Sequence, residues 1–175
     1  MHINPIIFSD GGEFFKKLSK TYVKHPNGLF ILAPSGSGKT YYCKNQTEQH
    51  WIDGDELWQS SGAHPEGAWW LEPVDIMNRV DQRSDVITME AKHVGFWIVG
   101  ASNYWLKPDA IVIPDWEIHK KYIATRHKNN YDGGATPDDH DQVLSHIKFI
   151  KTWHTDHDVP QFASVHEAVT ALTES

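Results

Sequence analysis

Eight residues, 33-APSGSGKT-40, set small, flexible and cationic side chains in an order suited to holding phosphate. They follow the phosphate-loop pattern G-x-x-x-x-G-K-[ST], with Ala33 as a small-residue substitute at the first position. Gly36 and Gly38 can take positive φ values and so bring backbone N–H groups close to phosphate oxygens. Lys39 would reach the β- and γ-phosphates, and the Thr40 hydroxyl would ligate Mg²⁺. The helix that begins here aims its positive end at the same anions. Ser35, Gly36, Ser37, Gly38, Lys39, Thr40 and Tyr41 are therefore the expected nucleotide contacts.

A second constellation, 51-WIDGDELW-58, lies about a dozen residues on. On extended backbone the D-x-D spacing turns Asp53 and Asp55 the same way. Beside a phosphate loop, one carboxylate can hold the Mg²⁺ water shell and the other can take a proton from an attacking hydroxyl. The competing reading is a plain Asp-Gly turn.

Arg79 and Arg83, four residues apart, would share a helical face and clamp a phosphate on an acceptor. The alternative there is a solvated face with Asp75 paired to Arg79. Trp58, Trp69 and Trp70 flank the region and suit either base stacking or core packing, with packing favoured for each singly. His154 and His157, with Asp156 and Asp158, read as a polar helix end rather than a metal site. Cys43 reads as packed rather than catalytic.

These groups need elements to position them. The apolar run Leu29 to Leu32 has the pattern of a strand buried on both faces, and a helix is expected from Lys39 to about Glu48. Trp51-Ile52 reads as a second strand, ending in Asp53-Gly54-Asp55. Phe96 to Val99, Ala110 to Ile113 and Val159 to Phe162 read as three more. Helices are expected over Asp10 to Lys24 with Ser9 or Asp10 as N-cap, Pro73 to Val80, Ser84 to His93 and Glu117 to about Lys128.

A further helix carries Val143, Leu144, Ile147 and Ile150. A closing helix, opened by the capping box of Ser164 and Glu167, carries Val165, Ala168, Val169 and Leu172. Residues 129–141, NNYDGGATPDDHD, read as a loop. Strands alternating with helices imply an α/β fold, a parallel sheet covered on both sides.

The totals agree with a folded enzyme-sized domain. The chain has 175 residues, 39% hydrophobic and 22% charged, with no stretch long enough to span a bilayer. The single cysteine suits a reducing compartment, so a cytoplasmic protein is expected. The formal net charge of −7 argues mildly against a broad, sequence-independent grip on nucleic acid and leaves room for a local basic cleft. The 12 histidines make that charge pH-dependent.

In APSGSGKT, IDGDELW, 110-AIVIPDWEIHKKYIATR-126 and 159-VPQFASVHEAV-169 the chain resembles the P-loop small-molecule and nucleotide kinases, the shikimate, gluconate, adenylylsulfate and nucleoside monophosphate kinase group. The resemblance runs over nearly the whole chain in order, and the phosphate loop is its specific part. It implies a single domain over residues 1–175, a three-layer α/β/α fold with about five parallel strands, and a lid over 129–141.

It also implies ATP and Mg²⁺ as cofactors. Asp55 would be the acceptor contact or general base and Asp53 a Mg²⁺ ligand partly through water. Arg126, at the lid base, would neutralise charge on the transferring phosphoryl group. Two departures stand out. The lid segment holds Asp132, Asp138, Asp139 and Asp141 but no arginine, where many family lids place two. The run Phe96 to Val99 continues into Gly100-Ala101-Ser102 without a Walker B acid.

A nucleoside monophosphate needs no general base, whereas a hydroxyl acceptor does. The Asp-Gly-Asp element favours a hydroxyl, while Arg79, Arg83 and the tryptophans favour something nucleotide-like. The expectation is a kinase acting on a hydroxyl of a nucleotide or of a nucleotide unit of DNA or RNA. A nucleoside monophosphate kinase, a small-metabolite hydroxyl kinase and a nucleoside triphosphatase without acceptor are the alternatives.

Overall fold

Short apolar runs make the strands. In the computed structural model, which describes residues 11–65, 69–128 and 135–174, these are β1 (Leu29–Leu32), β2 (Trp51–Asp53), β3 (Trp97–Gly100), β4 (Ala110–Val112) and β5 (Gln161–Phe162). They form one sheet in the order β2-β3-β1-β4-β5. The pairs β1/β4, β2/β3 and β4/β5 run parallel. Every residue of β2 and β4 is buried, as expected where both faces of a parallel sheet are covered. Seven helices accompany the strands among the described residues: α1 (Gly11–Thr21), α2 (Lys39–Lys44), α3 (Gly54–Ser60), α4 (Val74–Val94), α5 (Trp116–Lys128), α6 (His140–His157) and α7 (Val165–Thr173). None is long and apolar enough to cross a membrane.

The chain divides into two compact units, Met1–Phe30 with Asn45–Leu106, and Ile31–Lys44 with Lys107–Ser175.

In the first unit, Asp53 pairs in register with Val99 at the carboxyl ends of β2 and β3. Helix α4 is continuous where two helices with a break at 81–83 were expected. The reason is a buried polar stripe along one face. Ser84 and Thr88 hold their hydroxyls on the preceding turn, donating to Val80 O and Ser84 O. Thr88 also accepts the indole N–H of Trp58 at 2.9 Å. Because the Ser84 proton is used, His64 Nε2 donates to Ser84 Oγ at 2.8 Å. Asp85, fully buried, accepts the consecutive N–H groups of Tyr104, Trp105 and Leu106 on Oδ2. Ser84, Thr88 and one carboxylate oxygen of Asp85 thus find partners inside the fold, while Asp85 Oδ1 has none among the described residues.

Asp81 sits one turn before Asp85, and burial, with Asp85 adding to it, pushes its carboxyl up to about 8 from 3.8. Below pH 4 both folded and unfolded chains hold this proton. Above it the unfolded chain ionises while the folded chain resists, so stability is lost as pH rises from about 4 to about 8. Asp81→Asn removes the ionisation. It is expected to stabilise the protein by about 2 kcal/mol more at pH 8 than at pH 5, a figure reduced from about 1.4 kcal/mol per pKa unit for the carboxyl's partial solvent contact. Urea denaturation at both pH values checks this. An equal effect at both would show that Asp81 is ionised in the fold.

In the second unit, Ile31 pairs with Ala110 and Leu32 with Ile111, while Ile111 pairs with Gln161 and Val112 with Phe162. Helices α6 and α7 pack on β4, and α7 also on β5. The Ser164–Glu167 cap is present: Ser164 Oγ accepts the Glu167 N–H at 3.1 Å, and the Glu167 carboxylate accepts the Ala163 N–H at 3.1 Å. Val143, Ile147 and Ile150 face inward as expected, but Leu144 is exposed.

Other boundaries move for local reasons. Helix α2 stops at Lys44, short of Glu48. Gln46 leaves the helix to bond the Trp51 backbone in both directions, at 2.9 and 2.7 Å. Strand β3 starts and ends one residue later than expected, and β5 keeps only Gln161–Phe162.

Of the expected lid, 129–134 lies outside the described residues, as do Ser9 and Asp10. Its later part is ordered rather than loop. Thr136 caps a 3₁₀ turn, Pro137–Asp139, in a full capping box with Asp139, and His140 opens α6. Asp158, in the left-handed region at φ 57°, closes α6, and His154 Nδ1 donates to Val159 O at 2.8 Å. The 154–158 cluster is therefore a helix end, as expected. Cys43 is buried.

Candidate functional site

Buried Phe30 to Leu32 deliver the chain into residues 33–38 at the carboxyl end of β1. Pro34 O accepts the Ser37 N–H at 3.2 Å, which makes Pro34 to Ser37 a four-residue turn. Its third residue, Gly36, has φ 78°, the signature of a type II turn. Gly38 has φ 95°, so both glycines take the positive φ anticipated for them. A Cβ on Gly36 would lie 2.7 Å from Ile123 Cγ1, whereas one on Gly38 would meet open space. The turn thus rests with one side on the protein. Beneath it, Ile123, Val143 and Ile147 form an apolar cluster with Ile113, Trp116 and Ala135 packed against it.

Polar contacts fix the loop further. The Ser37 hydroxyl donates to Pro34 O at 2.6 Å and is buried, so it turns inward rather than toward a ligand. Ser35 is held twice: its hydroxyl accepts the Ala135 N–H at 3.1 Å, and its carbonyl accepts from His119 Nε2 at 2.7 Å. A carbonyl only accepts, so Nε2 carries the proton and Nδ1 is bare. His119 is fully buried, and Nδ1 finds no partner among the described residues. Burial pushes the imidazole below its ordinary value, with the Ser35 bond opposing and His140 adding to the lowering. Lys39, 3% exposed, begins α2, with Thr40 half-buried beside it and Tyr41 75% exposed. Arg126 is half-buried in the last turn of α5.

The expected acceptor residues belong to the first unit. Asp53 is nearly buried and is the N-cap of α3, its Oδ1 accepting the Asp55 N–H at 3.0 Å. Asp55 is already in the first helical turn. The extended D-x-D geometry therefore does not occur, and Asp53 takes the capping role that its position before Gly54 suits. Arg79 is exposed on α4. Arg83 is half-buried and donates to the carbonyls of Gly62 and Ala63, so it secures that loop where an anion clamp was expected. Burial lowers its pKa from the ordinary value.

Trp58 and Trp69 are buried, packed against His64 with tilted and edge-on rings respectively, and belong to the core. For these two, packing prevails over stacking on a base. The side chain of Trp70 lies outside the described residues. The expected ATP contacts and Arg126 fall in one unit, and the expected acceptor contacts in the other.

Compared with protein-family models, curated proteins and solved structures, the chain gives no match.

Two features escaped the sequence. His119 and Ser35 are 84 residues apart, and no local pattern links them. The stripe of Asp81, Ser84, Asp85 and Thr88 does have a signal, polar residues at helical spacing, which a break at 81–83 conceals.

Proposed function

We propose that the chain is an ATP- and Mg²⁺-dependent phosphotransferase with a P-loop, built as a three-layer α/β/α kinase-like fold. It transfers the γ-phosphoryl group to a nucleotide-type acceptor, a hydroxyl on a nucleotide or on a nucleotide unit of DNA or RNA. The observation that carries the reading is the turn at 34–37. A type II turn with Gly36 at positive φ, followed by a second positive-φ glycine and Lys39, leads from a buried strand into a helix. That is the backbone context in which N–H groups converge on phosphate.

The strand order supports it. From β1 the chain passes to β2 on one side, and from β4 to β5 on the other. β1 and β4 therefore form the switch point whose carboxyl ends bind ligands in open α/β sheets. In this reading Lys39 draws negative charge off the transferring group, Thr40 holds Mg²⁺ with Asp53 acting partly through water, and Arg126 adds positive charge. Asp55 takes the proton from the attacking hydroxyl.

Labelled ATP offered with nucleosides, nucleoside monophosphates, oligonucleotides and small sugars tests the assignment. A labelled nucleotide or oligonucleotide is expected. Labelled inorganic phosphate alone would replace the kinase by a triphosphatase. Asp55→Asn should leave ATP affinity within threefold and lower transfer to a hydroxyl about 10²-fold or more, the usual worth of a general base. Normal turnover in that variant would mean that the acceptor atom is a phosphate oxygen.

A further inference from the structure

The phosphate loop owes its shape to a residue outside its motif. The peptide joining Ser35 to Gly36 is the central peptide of the type II turn, and such a peptide can rotate as a plane. In a trans peptide the carbonyl and the N–H point in opposite directions. The Ser35 carbonyl is drawn into the protein by His119 Nε2 at 2.7 Å. The Gly36 N–H therefore points away from His119, and no described residue takes it. Flipping the plane to a type I arrangement would bury that N–H and turn a carbonyl oxygen outward, an acceptor facing an anion.

We propose that His119 is a positioning residue of the phosphate site, holding the Ser35–Gly36 peptide so that the Gly36 N–H is presented to the nucleotide phosphates. The proposal rests on the nucleotide reading above. Four observations converge on it. His119 has no solvent exposure, so its hydrogen bond does not compete with water. Its ring is set by edge-on contact with Trp116 at 5.5 Å between centroids. Ile123 closes the remaining side of Gly36. The Ala135 N–H on Ser35 Oγ anchors the same residue from a second direction, so Ser35 is fixed by both its carbonyl and its hydroxyl.

Three variants and one spectrum test this. His119→Gln offers an amide N–H near the position of Nε2, His119→Asn offers one too short to reach, and His119→Phe keeps the ring without a donor. Calorimetric titration with Mg-ATP is expected to show His119→Gln within threefold of the wild type. His119→Asn and His119→Phe should weaken binding tenfold or more, with urea midpoints like that of His119→Gln. Equal affinity in all four proteins overturns the proposal while leaving the nucleotide reading intact. A wild-type protein that does not bind Mg-ATP overturns the nucleotide reading, and the proposal with it. The ¹⁵N spectrum of the wild-type histidines needs no variant to fold: His119 should carry its proton on Nε2, and a proton on Nδ1 alone overturns the proposal.

Discussion

Lys39→Ala is expected to reduce phosphoryl transfer by at least about 10³-fold, about 4 kcal/mol of transition-state stabilisation. Lys39 is 3% exposed and begins the helix that follows the glycine turn, so its side chain is packed. In the proposed phosphotransferase, a cation fixed in a partly dehydrated site would act on the β- and γ-phosphates without reorganising as charge moves. Lys39→Met separates charge from packing. It keeps most of the buried stem and should be as inactive as the alanine variant while more stable. Steady-state kinetics beside urea denaturation gives both quantities. Activity within tenfold of wild type in the methionine variant would falsify the assignment of Lys39 to the phosphate site.

Trp58→Ala should destabilise the protein by about 3–5 kcal/mol, the usual cost of emptying a buried aromatic site. That corresponds to a fall in Tm of about 8–16 °C for a chain of this size. The indole is fully buried and closed in by glycines. A Cβ on Gly100 would come within 2.3 Å of its ring, and one on Gly54 within 2.7 Å. Its N–H also satisfies Thr88 on the polar stripe of α4. Trp58→Phe should cost less, because it keeps much of the volume and loses the hydrogen bond. A Trp58→Ala protein of near-wild-type stability with impaired acceptor binding would restore the base-stacking role that the packing argues against.

How much of the site is legible in the sequence depends on how local its causes are. Gly36 and Gly38 could be read directly, since positive φ at a turn is a property of one residue and its neighbours. The Ser164–Glu167 cap was equally plain, three residues apart and self-contained. Asp53 was ambiguous for the opposite reason. D-G-D serves a strand end, a turn or a helix cap alike, and only the entry of the chain into α3 selected the cap. Arg83 could not be assigned at all from spacing, because the carbonyls it holds, those of Gly62 and Ala63, are 21 and 20 residues away.

By itself, then, the sequence determined the alternation of buried strands and amphipathic helices, the glycine turn after β1, and the lysine and threonine that follow it. These rest on hydrophobic periodicity and backbone sterics, which act over a few residues. The tertiary structure alone decided the strand order that makes β1 and β4 the switch point, the burial of Trp58, and the grip of His119 on Ser35. Each of those depends on which distant segments pack together, and burial changes what a side chain does. In water a histidine, a tryptophan or an aspartate has many partners. Inside this fold His119, Trp58 and Asp85 are confined to a few fixed partners, because leaving a buried polar group unsatisfied costs more than the bond itself contributes.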